Sequence, residues 1–214
     1  MRRDFKTILI PTKFTDACEN ALQQGLELAK ADGLELILLH VKNFKQDGFS
    51  LFSKSSVNKE DYKKEASQKL KRLADEYSQK SGVKIIPMYE EGKPIKIIPR
   101  FGELFFSKYI ISTLPSDAKK REEFAENVIE SCKNCKSNII LLQENKSVTG
   151  IKKLVMPLDL TKESRQKISY AMEFNQAYQT ELHLFSYLEG DEFATNKLRG
   201  QLDAVSKFLK QNSI

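Results

Sequence analysis

The chain has no tryptophan, two histidines and three cysteines. Two histidines are too few for a histidine-rich metal site. Cys18, Cys132 and Cys135 are too few for a disulfide scaffold and suit a reducing compartment. No run approaches the roughly 18 to 20 apolar residues that span a bilayer. The opening MRRDFKTILIP has two arginines but no apolar region ahead of its first strand-like run, so no signal peptide is expected and the predicted location is cytoplasmic. Charge of one sign is not gathered either. The formal net charge is +6, but lysines alternate with acids in blocks such as KEDYKKEASQKLKRLADE, the pattern of a solvated helix face. That excludes nucleic acid and membrane as expected partners, because neither a basic stripe nor an acid-free amphipathic face is present. Glycine is missing from a long stretch as well: none occurs between Gly102 and Gly150.

What is present is alternation. Short β-branched runs are separated by longer segments of helical period, the signature of βαβ units around a parallel sheet. Strands are predicted at Thr7 to Pro11, Glu35 to Val41, Val83 to Tyr89, Lys108 to Thr113 and Asn138 to Gln143. The second, ELILLHV, is a continuous apolar run and should be buried on both faces. In the third, Pro87 should reduce pairing. Helices are predicted from Asp16 to Ala31, stopped by Gly33, from Lys59 to Ser81, stopped by Gly82, and from Ala118 to Lys133. The apolar face of the Lys59 to Lys80 stretch is expected to pack on the sheet. Asn43 to Val57 has no period and is expected to be a loop. Glu91 to Pro94 reads as a turn. Ile95 to Phe106 carries Pro99 and Gly102, so its helix is expected to be short or bent.

At 214 residues the chain is longer than one typical domain of about 100 to 150 residues, and an internal repeat accounts for the excess. FKTILIPTKF at Phe5 to Phe14 lies without gaps over IKKLVMPLDL at Ile151 to Leu160, and ELILLHV lies over ELHLFSY in the same register. Pro11 falls on Pro157, Thr15 on Thr161 and Glu27 on Glu173. The predicted organisation is a complete domain at 1–147 and a partial second copy at 148–214, with a last helix from Phe193 to Lys210. Because the second copy lacks counterparts of strands three to five, the chain is expected to be a piece of a longer tandem protein.

The residues ILIPTKFTDACENAL followed by ELILLHV, and LVMPLDLTKES followed by ELHLFSY, resemble the opening of universal stress protein domains. The resemblance implies a five-stranded, mainly parallel sheet with helices on both faces, of Rossmann type. It also implies self-association as a dimer or tandem pseudo-dimer and, in one subgroup of the family, ATP across the strand tips. By that resemblance the candidate binding residues are Thr12, Lys13, Val41 and Asp159. ATP-binding members carry an aspartate in the first turn and a loop of the type Gly-x2-Gly-x9-Gly-Ser/Thr after the fourth strand. Here Lys13 stands in place of that aspartate, and the stretch after the fourth strand, Leu114 to Glu123, has no glycine and adds acidic groups. Backbone N–H groups converge on a phosphate only where no Cβ intervenes. No cofactor is therefore expected in the first copy. The second copy keeps Asp159, whose alternative reading is a turn or helix-cap residue.

Cys132 and Cys135 form a CxxC. Redox pairs of this kind open a helix, whereas this one closes a helix, and no second pair completes a zinc site, so a structural role is expected. His40, at the end of an apolar strand, reads as structural, and no catalytic constellation can be assembled. The functional expectation, carried by the resemblance, is a non-enzymatic stress-response or regulatory protein acting through protein partners or self-association. The alternatives are a nucleotide switch built around Asp159 and, last, a redox or metal module on the CxxC.

Overall fold

The computed structural model describes residues 4–44, 58–133, 135–143, 152–159, 161–187 and 190–212. The chain divides into two compact units, Met1–Ser147 and Val148–Ile214.

In the first unit, five strands form one parallel sheet: β1 (Thr7–Pro11), β2 (Glu35–Lys42), β3 (Ile85–Glu91), β4 (Ser107–Leu114) and β5 (Asn138–Gln143). Their order across the sheet is β3-β2-β1-β4-β5. The apolar run in β2 has the position its sequence demands, between β1 and β3, with residues 36–39 at most 1% exposed. Helices α1 (Asp16–Asp32), α2 (Lys59–Ser81), α3 (Pro94–Leu104) and α4 (Ala118–Cys132) connect the strands. Gly33 ends α1 with a φ of 64° and Gly82 ends α2 with a φ of 75°, the left-handed conformation that costs a glycine least. Of the loop expected over 43–57, residues 45–57 lie outside the described residues.

Two elements differ in detail from their sequence-based expectation. Strand β3 begins at Ile85 rather than Val83, and Pro87 pairs in register with Leu38 without interrupting it. β3 is an edge strand, where a missing donor need not break a ladder. Helix α3 runs through both Pro99 and Gly102. Its packing explains this. Ile97 and Phe101 are buried against Leu9, Ile37, Leu39 and Ile110, and a Cβ on Gly102 would lie 2.8 Å from Ile110 Cδ1. Glycine, though a poor helix former, lets α3 approach the sheet, and burial outweighs propensity.

The second unit has β6 (Lys153–Pro157), α5 (Lys162–Tyr178), β7 (Glu181–Phe185) and α6 (Glu192–Gln211), its two strands forming a parallel pair. Met156, Leu158, Ala171, Val205 and Leu209 make a small core. No helix among the described residues is long and apolar enough to cross a membrane.

Candidate functional site

The order of the first sheet places β1 and β4 side by side, although the chain leaves β1 toward β2 and β3 and returns only later to β4. Ligands in open α/β sheets sit beyond the carboxyl ends of strands at such a switch point. A cleft of about 680 Å³ opens there, within the usual range for small-molecule pockets. It is reached by the tips of β1, β2 and β4, by the start of α3 and by one face of α4.

Of the residues predicted from the sequence, Thr12, Lys13 and Val41 all line this cleft. Thr12 is buried and held on three sides. Its N–H donates to Leu39 O (2.8 Å), its carbonyl accepts from His40 Nδ1 (2.8 Å), and its hydroxyl accepts from Phe14 N–H (3.0 Å). Lys13 is exposed, and its backbone N–H donates to Cys18 Sγ (3.3 Å). Val41 is half-buried.

Cys18, in the first turn of α1, also lines the cleft and accepts a hydrogen bond from Thr15 Oγ1 at 3.3 Å. Burial pushes its thiol pKa up. The hydrogen bonds from Lys13 N–H and Thr15 act the other way, and the balance lies below the ordinary thiol value.

His40 is occupied structurally. A carbonyl can only accept, so Nδ1 carries the proton and donates to Thr12 O. Nε2 then accepts from Tyr62 OH at 3.0 Å. Burial first, then the charges on Lys42 and Lys69, hold its pKa below 6.5 against the opposing effect of the Thr12 hydrogen bond.

The segment after β4 carries its own cap. Asp117 caps α4, its carboxylate accepting from Lys120 N–H at 2.9 Å, so an anion already sits at that helix N-terminus. Arg121 is turned back onto the loop, donating to Pro115 O (3.3 Å) and Ser116 O (2.7 Å). Arg121 thereby holds the turn.

Asp159 belongs to the second unit and lines a separate cavity of about 420 Å³ with Lys167 and Ser186. Its carboxylate accepts from the hydroxyl of Thr161 and from Thr161 N–H (2.8 Å). The hydroxyl bond first, then contacts with Ser164 and Thr161 N–H, bring its pKa down to about 2. Thr161 in turn caps α5. Cys135 packs against the first unit's core, while the side chain of Cys132 lies outside the described residues. Among the described residues no group of three or more His, Cys, Asp and Glu could hold a metal ion.

The sequence reading missed Lys93, Ile98 and the α4 face made by Phe124, Val128 and Ser131. The α4 residues carried a signal, since their spacing of four and three places them on one side of a helix. Lys93 lay in a segment read only as a turn.

These features define a doubly wound α/β unit with a cleft at its switch point. Residues 4–103 match the profile of the universal stress protein family. No curated protein matches the chain. A universal stress protein from Archaeoglobus fulgidus is 20% identical over 94% of this chain and 73% of its own, with a TM-score of 0.66. A structure of the same type from Pseudomonas aeruginosa is 14% identical over 98% of this chain and 70% of its own, with a TM-score of 0.65. A universal stress protein from Lactobacillus plantarum, 13% identical, covers 64% of this chain and 97% of its own, with a TM-score of 0.50. The fold is that of these proteins.

Proposed function

We propose that this chain is a non-enzymatic regulatory protein of the stress-response type, located in the cytoplasm, whose first unit responds to a small molecule other than ATP. The observation that carries the reading is the self-capped N-terminus of α4. Where a nucleotide-binding relative of the resembled family would present bare backbone N–H groups to phosphate, Asp117 fills that place. Three further facts support it. Lys13 replaces the first-turn aspartate, no glycine lies between Gly102 and Gly150, and the ring of His40 has both nitrogens engaged, which leaves it unsuited to proton transfer at the cleft. The tandem organisation and self-association belong to the same proposal and are supported by the gap-free internal repeat.

A second reading is favoured by one observation, the 420 Å³ cavity beside Asp159. There the second unit would contribute a nucleoside contact. Against it, the carboxylate is already satisfied by its own turn.

The test is retention. Protein isolated gently from its source is denatured and its released small molecules are identified by mass spectrometry. A non-nucleotide compound, lost on Ile98→Asp, is the expected result; near-stoichiometric adenine nucleotide would overturn the reading.

A further inference from the structure

The cleft of the first unit has an acid-free rim and an apolar interior, and together these restrict what it can take. Among the described residues that line it there is no aspartate or glutamate. Two lysines do line it, Lys13 after β1 and Lys93 before α3. Both side chains are exposed, and neither forms an ion pair among the described residues. Lys93 sits at the N-cap of α3 without capping it, and the next residue, Pro94, has no N–H, so the positive end of that helix faces the same opening with no side chain neutralising it. Behind the rim the wall is mainly apolar, made by Ile98, Ile110, Phe124 and Val128, with Ser112, Thr113, Asn127 and Ser131 adding polar groups.

Each feature excludes a class. A cation would be repelled by the rim. A neutral apolar molecule would gain nothing from the positive rim, whose lysines stay hydrated. A polyphosphate would find the N-terminus of α4 closed by Asp117 and would leave the apolar wall in contact with water. An anion that carries one charge at the end of an apolar body satisfies both parts, because the charge-assisted contacts lie at the rim and each methylene group buried behind it adds about 0.8 kcal/mol. We propose that this cleft binds an aliphatic monocarboxylate of medium chain length, with its head at Lys13 and Lys93 and its chain against Ile98, Ile110 and Val128. This rests on the reading of the cleft as a ligand site.

The full chain is titrated calorimetrically with decanoate, 1-decanol and Mg-ATP in turn, and the methyl resonances of Ile98, Ile110 and Val128 are followed by NMR. Decanoate is expected to bind at one site and to shift those methyl groups. Lys13→Glu and Lys93→Glu should each weaken it about tenfold, leave decanol unchanged and leave the melting temperature unchanged, since both lysines are exposed. If decanol binds as tightly as decanoate, or charge reversal has no effect, the ligand class is wrong while the cleft remains a site. Mg-ATP shifting the same methyl groups with higher affinity overturns the class in favour of a nucleotide. If no probe shifts those methyl groups, the reading of the cleft as a ligand site falls with it.

Discussion

The two units begin with the same local architecture and arrive at different sites. In the first, Thr12 N–H donates to Leu39 O, Lys13 N–H to Cys18 Sγ, and His40 donates to Thr12 O. In the second, at matching repeat positions, Leu158 N–H donates to Phe185 O, Asp159 N–H to Ser164 Oγ, and Ser186 donates to Leu158 O. The backbone turn is therefore kept by hydrogen bonds that tolerate exchange of sulfur for oxygen and of imidazole for hydroxyl. What changes is the side chain offered outward: a lysine in one unit and a self-satisfied aspartate in the other. The burial differs as well. Leu36 is fully buried on β2, an interior strand of a five-stranded sheet, whereas its counterpart Leu182 is only half-buried, and the second unit exposes Val155 and Phe185 on its two-stranded sheet.

The largest effect should come from testing that difference in burial directly. Leu36→Ala is expected to destabilise the first unit by about 2–5 kcal/mol, and Leu182→Ala the second by clearly less. Urea unfolding with a probe in each unit reads both, and equal losses would erase the distinction. Next is the close approach of α1 to β1 at Gly25. A Cβ on Gly25 would lie 2.3 Å from Ile10 Cδ1, while the matching position in the repeat, Ala171, already carries one in a buried site. Gly25→Ala should cost about 1–3 kcal/mol despite the gain in helix propensity. A neutral or stabilising result would show that Ile10 moves aside freely.

A smaller effect attaches to the turn. Cys18→Ala leaves Lys13 N–H without its acceptor and should cost about 1 kcal/mol, whereas Cys18→Ser, which imports the second unit's chemistry, should restore much of that loss. The pH dependence comes last. The pKa of His40 is lower in the folded state than its ordinary 6.5. Its contribution to stability is thus complete above that value and is lost as pH falls through the folded pKa. Asp159 acts in the same direction at lower pH, its contribution declining between the ordinary 3.8 and about 2. Urea midpoints should therefore fall from pH 7.5 to pH 5, and His40→Gln should flatten that fall. A wild-type midpoint that rises would contradict the lowered pKa of His40.

Much of the fold was legible because burial on both faces of a strand writes itself into a run such as ELILLHV, and because Gly33 and Gly82 mark helix ends. Helix α3 was expected, but only short or bent, because Pro99 and Gly102 argue against a helix locally, whereas the approach of Gly102 to Ile110 and the burial of Ile97 and Phe101 become visible only in the fold. At the site, Thr12, Lys13 and Val41 could be proposed only through the resemblance of the first two strand ends to the family pattern. Lys93, Ile98 and Val128 could not, because they meet those tips only through the tertiary fold. The capping role of Asp117 was also hidden: in sequence it was one more acid in a mixed-charge stretch, and only the bond to Lys120 N–H shows that its carboxylate caps α4.

Whether that occupied helix end excludes nucleotide is tested most directly by isothermal titration of nucleotide-free protein with Mg-ATP. The expected result is no saturable heat. Binding at micromolar strength with one nucleotide in the first unit would contradict the account and would mean that Lys13, Lys93 or the loop after Leu114 holds phosphate by a route that needs neither glycine nor a free helix N-terminus.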